Sequence, residues 1–337
     1  MRIVKAVIAF AAAAAHLALA ATAQTAWSYP VPQRWAQALP STSPPPRDAH
    51  RMATDLAAHR IVMFGGWNGS AYLGDTWEYD GVRWTERVVP GPSARALHGL
   101  AYDEGRGVTL LFGGVIGSGQ NGYLGDTWQY AGGVWTQVSS AAFPPRRFDH
   151  AMVYDRKRDR IVMFGGRGSS GSSLMGDTWE WDGASWTRAL PAVSPTPRTG
   201  HAMAFDPASG TVLLFGGIQL GGPIVGDLWS WDGTSWTQLA PPNAPAARWH
   251  ATMATDLGGG HVVLYGGNDG TDLTDTWTWD GSDWTRMWTR VQPQVPALPG
   301  MTTGPDGYHI VLFGGEDGTG ALRADTWWFG KLPRRGS

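Results

Sequence analysis

The 337 residues of the sequence include no cysteine. That absence excludes disulfide bonds, a thiol nucleophile and any metal site built on thiolates. Basic residues number 26 and acidic residues 28, so the net charge of −2 offers no positive surface for nucleic acid or anionic lipid. No apolar run reaches the roughly 20 residues that a membrane-spanning helix needs. We therefore expect neither a nucleic-acid partner nor a transmembrane anchor.

The first 23 residues have the composition of a secretory signal peptide. Arg2 and Lys5 precede an apolar run, and the run ends in the small residues Ala-Thr-Ala at 21–23. This pattern predicts export to the periplasm or the extracellular space, with a mature chain that begins at Gln24.

The rest of the chain repeats one unit six times. A Gly-Gly pair follows an apolar stretch at intervals of 48, 52, 51, 50 and 48 residues. The six pairs begin at Gly65, Gly113, Gly165, Gly216, Gly266 and Gly314. An Asp-x-Trp motif then follows each pair, and it begins at Asp75, Asp126, Asp177, Asp227, Asp275 and Asp325. A period near fifty with these markers is typical of a β-propeller.

Each unit predicts four short strands, here called a to d. In the third unit they are HAMVYD from His150, RIVMFGG from Arg160, DTWEWD from Asp177 and SWTRAL from Ser185. Turn residues such as Asp-Gly separate strands c and d, as a tight hairpin requires.

The Gly-Gly and Asp-x-Trp copies resemble kelch repeats over nearly all of the chain. The resemblance implies an all-β fold, a six-bladed β-propeller of four-stranded antiparallel blades. One domain is expected over 24–331, with blades that begin near 50, 98, 150, 201, 250 and 300 and a short tail at 332–337.

The sixth unit stops before its strand d, and a matching segment occurs at the other end of the chain. Trp35 precedes His50 by 15 residues, as Trp135 precedes His150. We therefore predict that 33–39 is the outer strand of blade 6 and pairs with 325–329, which hides two aggregation-prone edges.

The spacing of the motifs separates a constant face from a variable one. The Asp of Asp-x-Trp precedes the strand-d Trp by 9 residues in all five complete units. By contrast, 8 to 12 residues separate Gly-Gly from that Asp, so the b–c loop varies most. The b–c and d–a loops emerge on the same face of a blade, and variable loops on a rigid scaffold commonly carry binding.

Side chains that recur in every unit are interpreted as architecture. The tryptophans are expected to pack between blades. The histidines that open strand a (His50, His98, His150, His201 and His250), the preceding arginines and the Asp of each motif are expected to satisfy buried groups. Histidines spread around a ring cannot converge on one metal ion, so neither a metal nor a cofactor is expected.

Function is assigned to the positions where the copies differ. By resemblance to kelch domains that bind peptides, a ligand is expected to contact two positions of each unit, the residue after Gly-Gly and the residues after the arginine that precedes strand a. The resemblance places both positions at the mouth of the central channel. Two tyrosines of the b–c loops extend this set. The candidate ligand-binding residues are Trp67, Arg167, Asn268, Glu316, Asp149, Trp249, Tyr72 and Tyr123.

This mixture of indoles, one guanidinium, an amide and carboxylates suits a polypeptide segment or a glycan. The leading interpretation is an exported, monomeric and non-catalytic binding module. The alternative is an enzyme similar to kelch sugar mutarotases or epimerases, which would act on an acidic sugar through Glu316 and Arg167. Copper radical oxidases with kelch propellers are excluded because they need a cysteine. A cation bound near 268–272 or near Asp317 is a third alternative.

Overall fold

The computed structural model describes residues 33–117, 122–140, 142–168 and 173–330. The proposed signal peptide at 1–23 and the tail at 332–337 lie outside these ranges. No helix within them is long and apolar enough to cross a bilayer.

The described chain is built of strands in six four-stranded antiparallel sheets. It begins with β1 (Arg34–Ala38). Blade 1 contains β2 (Arg51–Asp55), β3 (Arg60–Trp67), β4 (Tyr72–Tyr79) and β5 (Trp84–Arg87). Blade 2 contains β6 (Gly99–Asp103), β7 (Val108–Val115), β8 (Tyr123–Ala131) and β9 (Val134–Val138). Blade 3 contains β11 (Ala151–Asp155), β12 (Arg160–Phe164), β14 (Thr178–Trp181) and β15 (Trp186–Ala189), beside a short ladder of β10 (Arg147–Phe148) and β13 (Arg167–Gly168).

The remaining blades follow the same order. Blade 4 contains β16 (Ala202–Asp206), β17 (Thr211–Phe215), β18 (Leu228–Trp231) and β19 (Trp236–Leu239). Blade 5 contains β20 (Thr252–Asp256), β21 (His261–Tyr265), β22 (Thr276–Trp279) and β23 (Trp284–Met287). Blade 6 contains β24 (Gly300–Thr303), β25 (Ile310–Phe313), β26 (Thr326–Gly330) and β1. The first strand of each blade contacts the first strands of both neighbouring blades, so these six strands form a closed ring.

Position within the blade explains the sequence of each strand. Strand b is apolar without interruption, as in Ile61 to Phe64, because neighbouring blades cover both of its faces and bury it completely. Strand d is largely exposed instead: Trp84 at its start is buried, whereas Glu86 and Arg87 are exposed. The outer strand is therefore anchored to the core mainly through its tryptophan.

The N-terminal strand closes the ring, as predicted. Strand β1 pairs with β26 from Arg34 opposite Gly330 to Ala38 opposite Thr326. Trp35 lies between the rings of Tyr265 and Phe329, with ring centroids 5.2 Å and 5.1 Å away. The first and last parts of the described chain therefore share one blade.

A tryptophan on strand d ties each blade to the blade before it. In blade 4, the indole of Trp236 donates from Nε1 to the hydroxyl of Thr178 in blade 3, at 2.9 Å. The equivalent bonds join Trp35 to Thr276, Trp84 to Thr326, Trp135 to Thr76 and Trp186 to Thr127. Blade 5 departs from the pattern because Leu228 replaces the threonine, and the Nε1 of Trp284 is left buried without a partner among the described residues. The tryptophans of strand c act differently: Trp179 donates to Asp177 of its own blade.

We expect Thr178→Val to lower the free energy of unfolding by about 1–3 kcal/mol, because it leaves the buried Nε1 of Trp236 without an acceptor at nearly unchanged shape. Urea denaturation measures the change. In a Trp236→Phe background the same substitution should cost much less, and Trp284→Phe should be milder than Trp236→Phe because no hydrogen bond is lost. If Trp284→Phe and Trp236→Phe lower the free energy of unfolding equally, the stabilising role of the hydrogen bond between Trp236 and Thr178 is contradicted.

Candidate functional site

A buried arginine locks the frame that carries the variable loops. Arg147 donates to both carboxylate oxygens of Asp177, at 2.7 and 2.8 Å, and to the carbonyl of Gly165 at 3.0 Å. The Nε1 of Trp179 donates to the same carboxylate at 2.7 Å. Burial alone would raise the pKa of Asp177, but these bonds outweigh it and hold the pKa below its usual value. Equivalent locks pair Arg47 with Asp75, Arg95 with Asp126, Arg198 with Asp227 and Arg248 with Asp275.

The backbone of these arginines holds the preceding blade as well. The carbonyl of Arg198 in blade 4 accepts from the amide of Gly166 in blade 3, at 2.9 Å. Gly166 has a φ of 96°, and a Cβ there would lie 2.8 Å from the carbonyl oxygen of Phe148. Only glycine fits this junction, which accounts for the repeated Gly-Gly.

Four of the five histidines pack as apolar rings between blades. His150 lies edge-on against Phe112 of the preceding blade at 5.7 Å, and His50, His98 and His201 pack equivalently. Their ring nitrogens have no hydrogen-bond partner of standard geometry among the described residues, so packing is their main observed contact, and the expected bonds to buried backbone groups stay a prediction. Burial lowers their pKa values well below the ordinary range, so they are neutral.

The fifth histidine was assigned to the wrong position. Ala251, not His250, lies against Gly267 at the place where the other blades have histidine. His250 instead takes the preceding position, with a φ of 55°. The sequence carried a signal for this shift, because 16 residues separate His250 from Gly266 whereas 15 separate histidine from glycine in the first four units.

The residues that are equivalent to His250 in the six blades form a ring at the mouth of the channel. Its six members have φ values of 53° to 65°, a left-handed conformation that is strained for any residue except glycine. They are Ala49, Leu97, Asp149, Gly200, His250 and Leu298. Backbone hydrogen bonds of 2.7 to 3.3 Å link them from blade to blade, from Leu298 through Ala49 onward to His250. Side chains of this mouth ring are thereby held at fixed places around the channel.

A second layer joins the two variable positions that the sequence singled out. In every blade, the residue after the locking arginine (or after Pro296, which replaces it in blade 6) pairs as a β-bridge with the residue after Gly-Gly. These pairs are Asp48 with Trp67, Ala96 with Val115, Phe148 with Arg167, Thr199 with Ile218, Trp249 with Asn268 and Ala297 with Glu316. Residues that are distant in sequence thus meet on one face.

The predicted site residues differ in their contacts, and most of them are half-buried. Trp67 lies against Tyr72 with ring centroids 4.9 Å apart, and Tyr123 lies against Phe148 at the same distance. The seven members other than Asp149 are half-buried. No hydrogen bond or ion pair between Arg167 and Glu316 occurs in the described part of the chain, and the buried Nε of Arg167 has no partner there.

Asp149 belongs to a network that joins four blades. It accepts from the hydroxyl of Thr199 at 2.7 Å and lies 3.3 Å from the Nε2 of His250, whose ring stacks on Trp249. Arg51 of blade 1 lies 4.0 Å from its other oxygen. Burial opposes ionisation of Asp149, but these partners outweigh it and lower its pKa. Sequence reasoning missed Arg51 and His250.

Asp48 is the second buried carboxylate at the mouth and, unlike Asp149, was not in the predicted set of site residues. Its side chain is 7% exposed, and its Oδ1 has no hydrogen-bond partner among the described residues. Burial, reinforced by the nearby charge of Glu316, raises the pKa of Asp48 to about 6. The side of the mouth between blades 6 and 1 is therefore acidic.

Below the mouth, the channel contains two small cavities of about 120 and 140 Å³. Both share one layer of apolar side chains, and the cavity next to the mouth is also lined by Arg51, Asp149 and His250. The shared layer is Met52, Leu100, Met152, Met203, Met253 and Met301. Pockets for small organic ligands usually measure about 300 Å³ or more. A ligand larger than a few atoms must therefore lie across the mouth.

The acidic loops next to the mouth satisfy their own groups. The Oδ1 of Asn268 accepts from the amide of Gly270, Asp269 from Thr271, and Asp317 from Thr319 and Ala321. Within the described ranges, no three histidine or carboxylate side chains converge to hold a metal ion.

The closed ring of six blades, each with the same loop positions, defines the molecule as a six-bladed kelch-type propeller. A family model, the KLHDC2/KLHL20/DRC7 Kelch-repeats domain, matches residues 130–315, more than half of the chain. The chain therefore belongs to the kelch-repeat family, and its propeller fits a protein-interaction module.

Three curated proteins are similar to parts of the chain. The Dynein alpha chain of the flagellar outer arm of Chlamydomonas reinhardtii is 33% identical over 42% of this chain and 3% of its own length. Mei4-dependent protein 6 of Schizosaccharomyces pombe is 26% identical over 51% of this chain and 28% of its own length. Dynein regulatory complex subunit 7 of C. reinhardtii is 38% identical over 23% of this chain and 7% of its own length. The chain thus spans less than a third of each relative.

These relatives contradict the prediction of export. They are a flagellar dynein chain, a subunit of a dynein regulatory complex and a Mei4-dependent protein, and none bears the name of an exported protein. The prediction rested on the composition of residues 1–23 alone, and it is wrong.

Proposed function

We propose that the protein is a non-catalytic interaction module that binds a segment of a partner polypeptide across the mouth of the propeller. The main support is the β-bridge that joins the residue after the arginine to the residue after Gly-Gly in every blade. This pairing gathers the non-repeated side chains on one face. The arginine locks beneath hold the same geometry in five blades, so the loops can differ while their bases stay fixed.

The chemistry of the mouth suits polypeptide recognition. Trp67, Trp249 and Arg167 are of the residue types that most often anchor protein interfaces. The indole of Trp67 is braced by Tyr72, and that of Trp249 by His250, so little side-chain freedom remains to be lost on binding. Two of the relatives carry the names of dynein assemblies, which supports a protein partner.

The channel gives little support to the enzyme alternative. A mutarotase needs room for a sugar, but the cavity of about 120 Å³ beneath the mouth is too small for one. Glu316 and Arg167 also lie in blades 6 and 3, and the described residues show no contact between them. Glycan binding at the indoles is a separate outcome that a glycan array would detect.

Panning a displayed peptide library on the purified propeller tests the proposal. Selected peptides should bind the wild type and lose at least about tenfold in affinity for the variant with both Trp67→Ala and Trp249→Ala. This variant should melt close to the wild type because both side chains are half-buried and outside the repeating core.

Trp186→Ala is the matched comparison, since it empties a buried indole site between blades and should cost about 3–5 kcal/mol. If the double variant unfolds as readily as Trp186→Ala, the two mouth tryptophans are core and the proposed face is wrong. Light scattering of the same preparations tests our proposal that the propeller acts as a monomer.

A further inference from the structure

The carboxylate of Asp48 is placed where a carboxylate is costly. It is more than nine-tenths buried, and its Oδ1 accepts no hydrogen bond from the described residues. Arg51 compensates this charge only in part, because its guanidinium donates to the carbonyl of His50 at 3.1 Å and lies beside Asp149, while burial and Glu316 still keep the pKa of Asp48 raised. A buried charge without a close partner is normally removed or compensated.

A second carboxylate stands on the neighbouring blade. Glu316 raises the pKa of Asp48 through its negative charge, in addition to the effect of burial. The backbone fixes this arrangement: the amide of Glu316 donates to Ala297 at 3.0 Å, and the amide of Ala49 donates to Leu298 at 3.1 Å. Like charges are thus held together where blade 6 meets blade 1.

An aromatic wall completes the same corner. The backbone of Trp67 exchanges two hydrogen bonds with Asp48, of 2.9 and 3.1 Å, so the indole begins beside the carboxylate. Tyr72 braces that indole, which remains half-exposed. The face of an indole attracts cations, and attraction grows as water is excluded.

We propose that the corner of the mouth formed by Asp48, Glu316 and Trp67 binds a basic side chain, arginine or lysine, of the partner polypeptide. This inference rests on the function proposed above and adds the chemical class that this corner recognises. The cation would lie against the indole, next to the carboxylates of Asp48 and Glu316. Of the basic residues described at the mouth, Arg167 lies in blade 3 and Arg51 lies beside Asp149, so the carboxylates of Asp48 and Glu316 dominate this corner.

Titration of isolated probes separates charge from shape. The probes are N-acetylarginine amide and its neutral isostere N-acetylcitrulline amide. The readout is ¹⁹F NMR of protein labelled with 5-fluorotryptophan, in which the Trp67 line is identified by its loss in Trp67→Phe. At pH 7.5 the arginine probe should shift the Trp67 line saturably, and citrulline should bind at least about fivefold more weakly. Equal shifts from the two probes would overturn the proposal.

Variants test the two carboxylates. Asp48→Asn and Glu316→Gln should each weaken the arginine probe by about tenfold. Asp317→Asn is the matched control, because Asp317 is adjacent in sequence but bonds within its own loop. Thermal melting verifies folding, and Asp48→Asn should melt no lower than the wild type because it removes a buried charge. A similar loss in all three variants, or none in Asp48→Asn, contradicts the assignment.

Acidification supplies a further readout. The groups that face Asp48 are Glu316, His250 and Arg51. Since the pKa of Asp48 is raised to about 6, the arginine probe should weaken as the pH falls through that value. His250→Gln should keep the transition and move it, if at all, to higher pH, because the charge of His250 lowers the pKa of Asp48, whereas Asp48→Asn should abolish it. A midpoint that follows His250 instead would overturn the role of Asp48.

The two proposals fail differently. If library peptides still bind through Trp67 and Trp249 but arginine has no advantage over citrulline, only the basic class is wrong. If neither peptides nor probes depend on these indoles, the mouth is not the binding face.

Discussion

Deletion of residues 33–40 is expected to lower the melting temperature by roughly 10 °C or more and to promote aggregation. The deletion removes strand β1, exposes the edge of β26 and empties the site of Trp35, which is 2% exposed. Loss of a buried tryptophan alone costs about 3–5 kcal/mol, and each kcal/mol lowers the melting temperature by about 2–4 °C in domains of 150–250 residues. Differential scanning calorimetry and light scattering measure the two effects.

Single substitutions divide this effect into its parts. Trp35→Ala should reproduce much of the loss in stability with less aggregation, because the edge of β26 stays covered. Leu39→Ala is the control, since Leu39 is 88% exposed and should change the melting temperature little. A melting curve of the shortened protein that overlays the wild type would refute the closing role of β1.

Arg147→Ala is expected to cost about 3–5 kcal/mol of stability, because it leaves the carboxylate of Asp177 and the carbonyl of Gly165 without their buried partner. Arg156→Ala is the matched control. Arg156 forms an ion pair of 2.8 Å with Glu104, but both side chains are partly exposed, so a cost of about 0–1 kcal/mol is expected. Chemical denaturation of the two variants gives the comparison.

The pH dependence of this difference has a definite sign. The pKa of Asp177 is lowered in the folded protein, so its contribution exists above the ordinary value of 3.8 and disappears as the pH falls below it. The deficit of Arg147→Ala should therefore shrink in acid. A deficit no larger than that of Arg156→Ala at pH 7 would show that the lock does not hold the blade.

The frame was predictable because its main sequence markers, Gly-Gly, Asp-x-Trp and the strand-d tryptophan, each occur six times. One Gly-Gly or one tryptophan carries little information, but copies in register fix the period, and the period fixes the number of blades. The orphan Trp35 located the closing strand by the same logic. The apolar leader, by contrast, is a single occurrence of a compositional pattern, and the export inferred from it was contradicted.

The mouth was predictable only in part. Positions that break the repeat pointed to Trp67 and Trp249, and the structure brings them together with Asp48 and Asn268 through bridges. The contact between His250 and Asp149 could not be predicted from motif spacing alone, because it depends on the rotamers of two side chains that meet across the channel. The missing hydrogen bond at the Oδ1 of Asp48 likewise could not be predicted from the sequence, since it depends on which donor groups the fold places around that atom.

The pairing of β1 with β26 has a mechanical consequence. Arg34 lies opposite Gly330, so the described propeller is entered and left at adjacent points of one sheet edge. Because the two strands are antiparallel, tension on both ends would load their hydrogen bonds one after another from that edge, and would not shear them all at once. The pairing of β1 with β26 therefore stabilises the propeller against heat but separates easily under a pulling force. Within a polypeptide under load, the sixth blade would open first and the other five would stay folded longest.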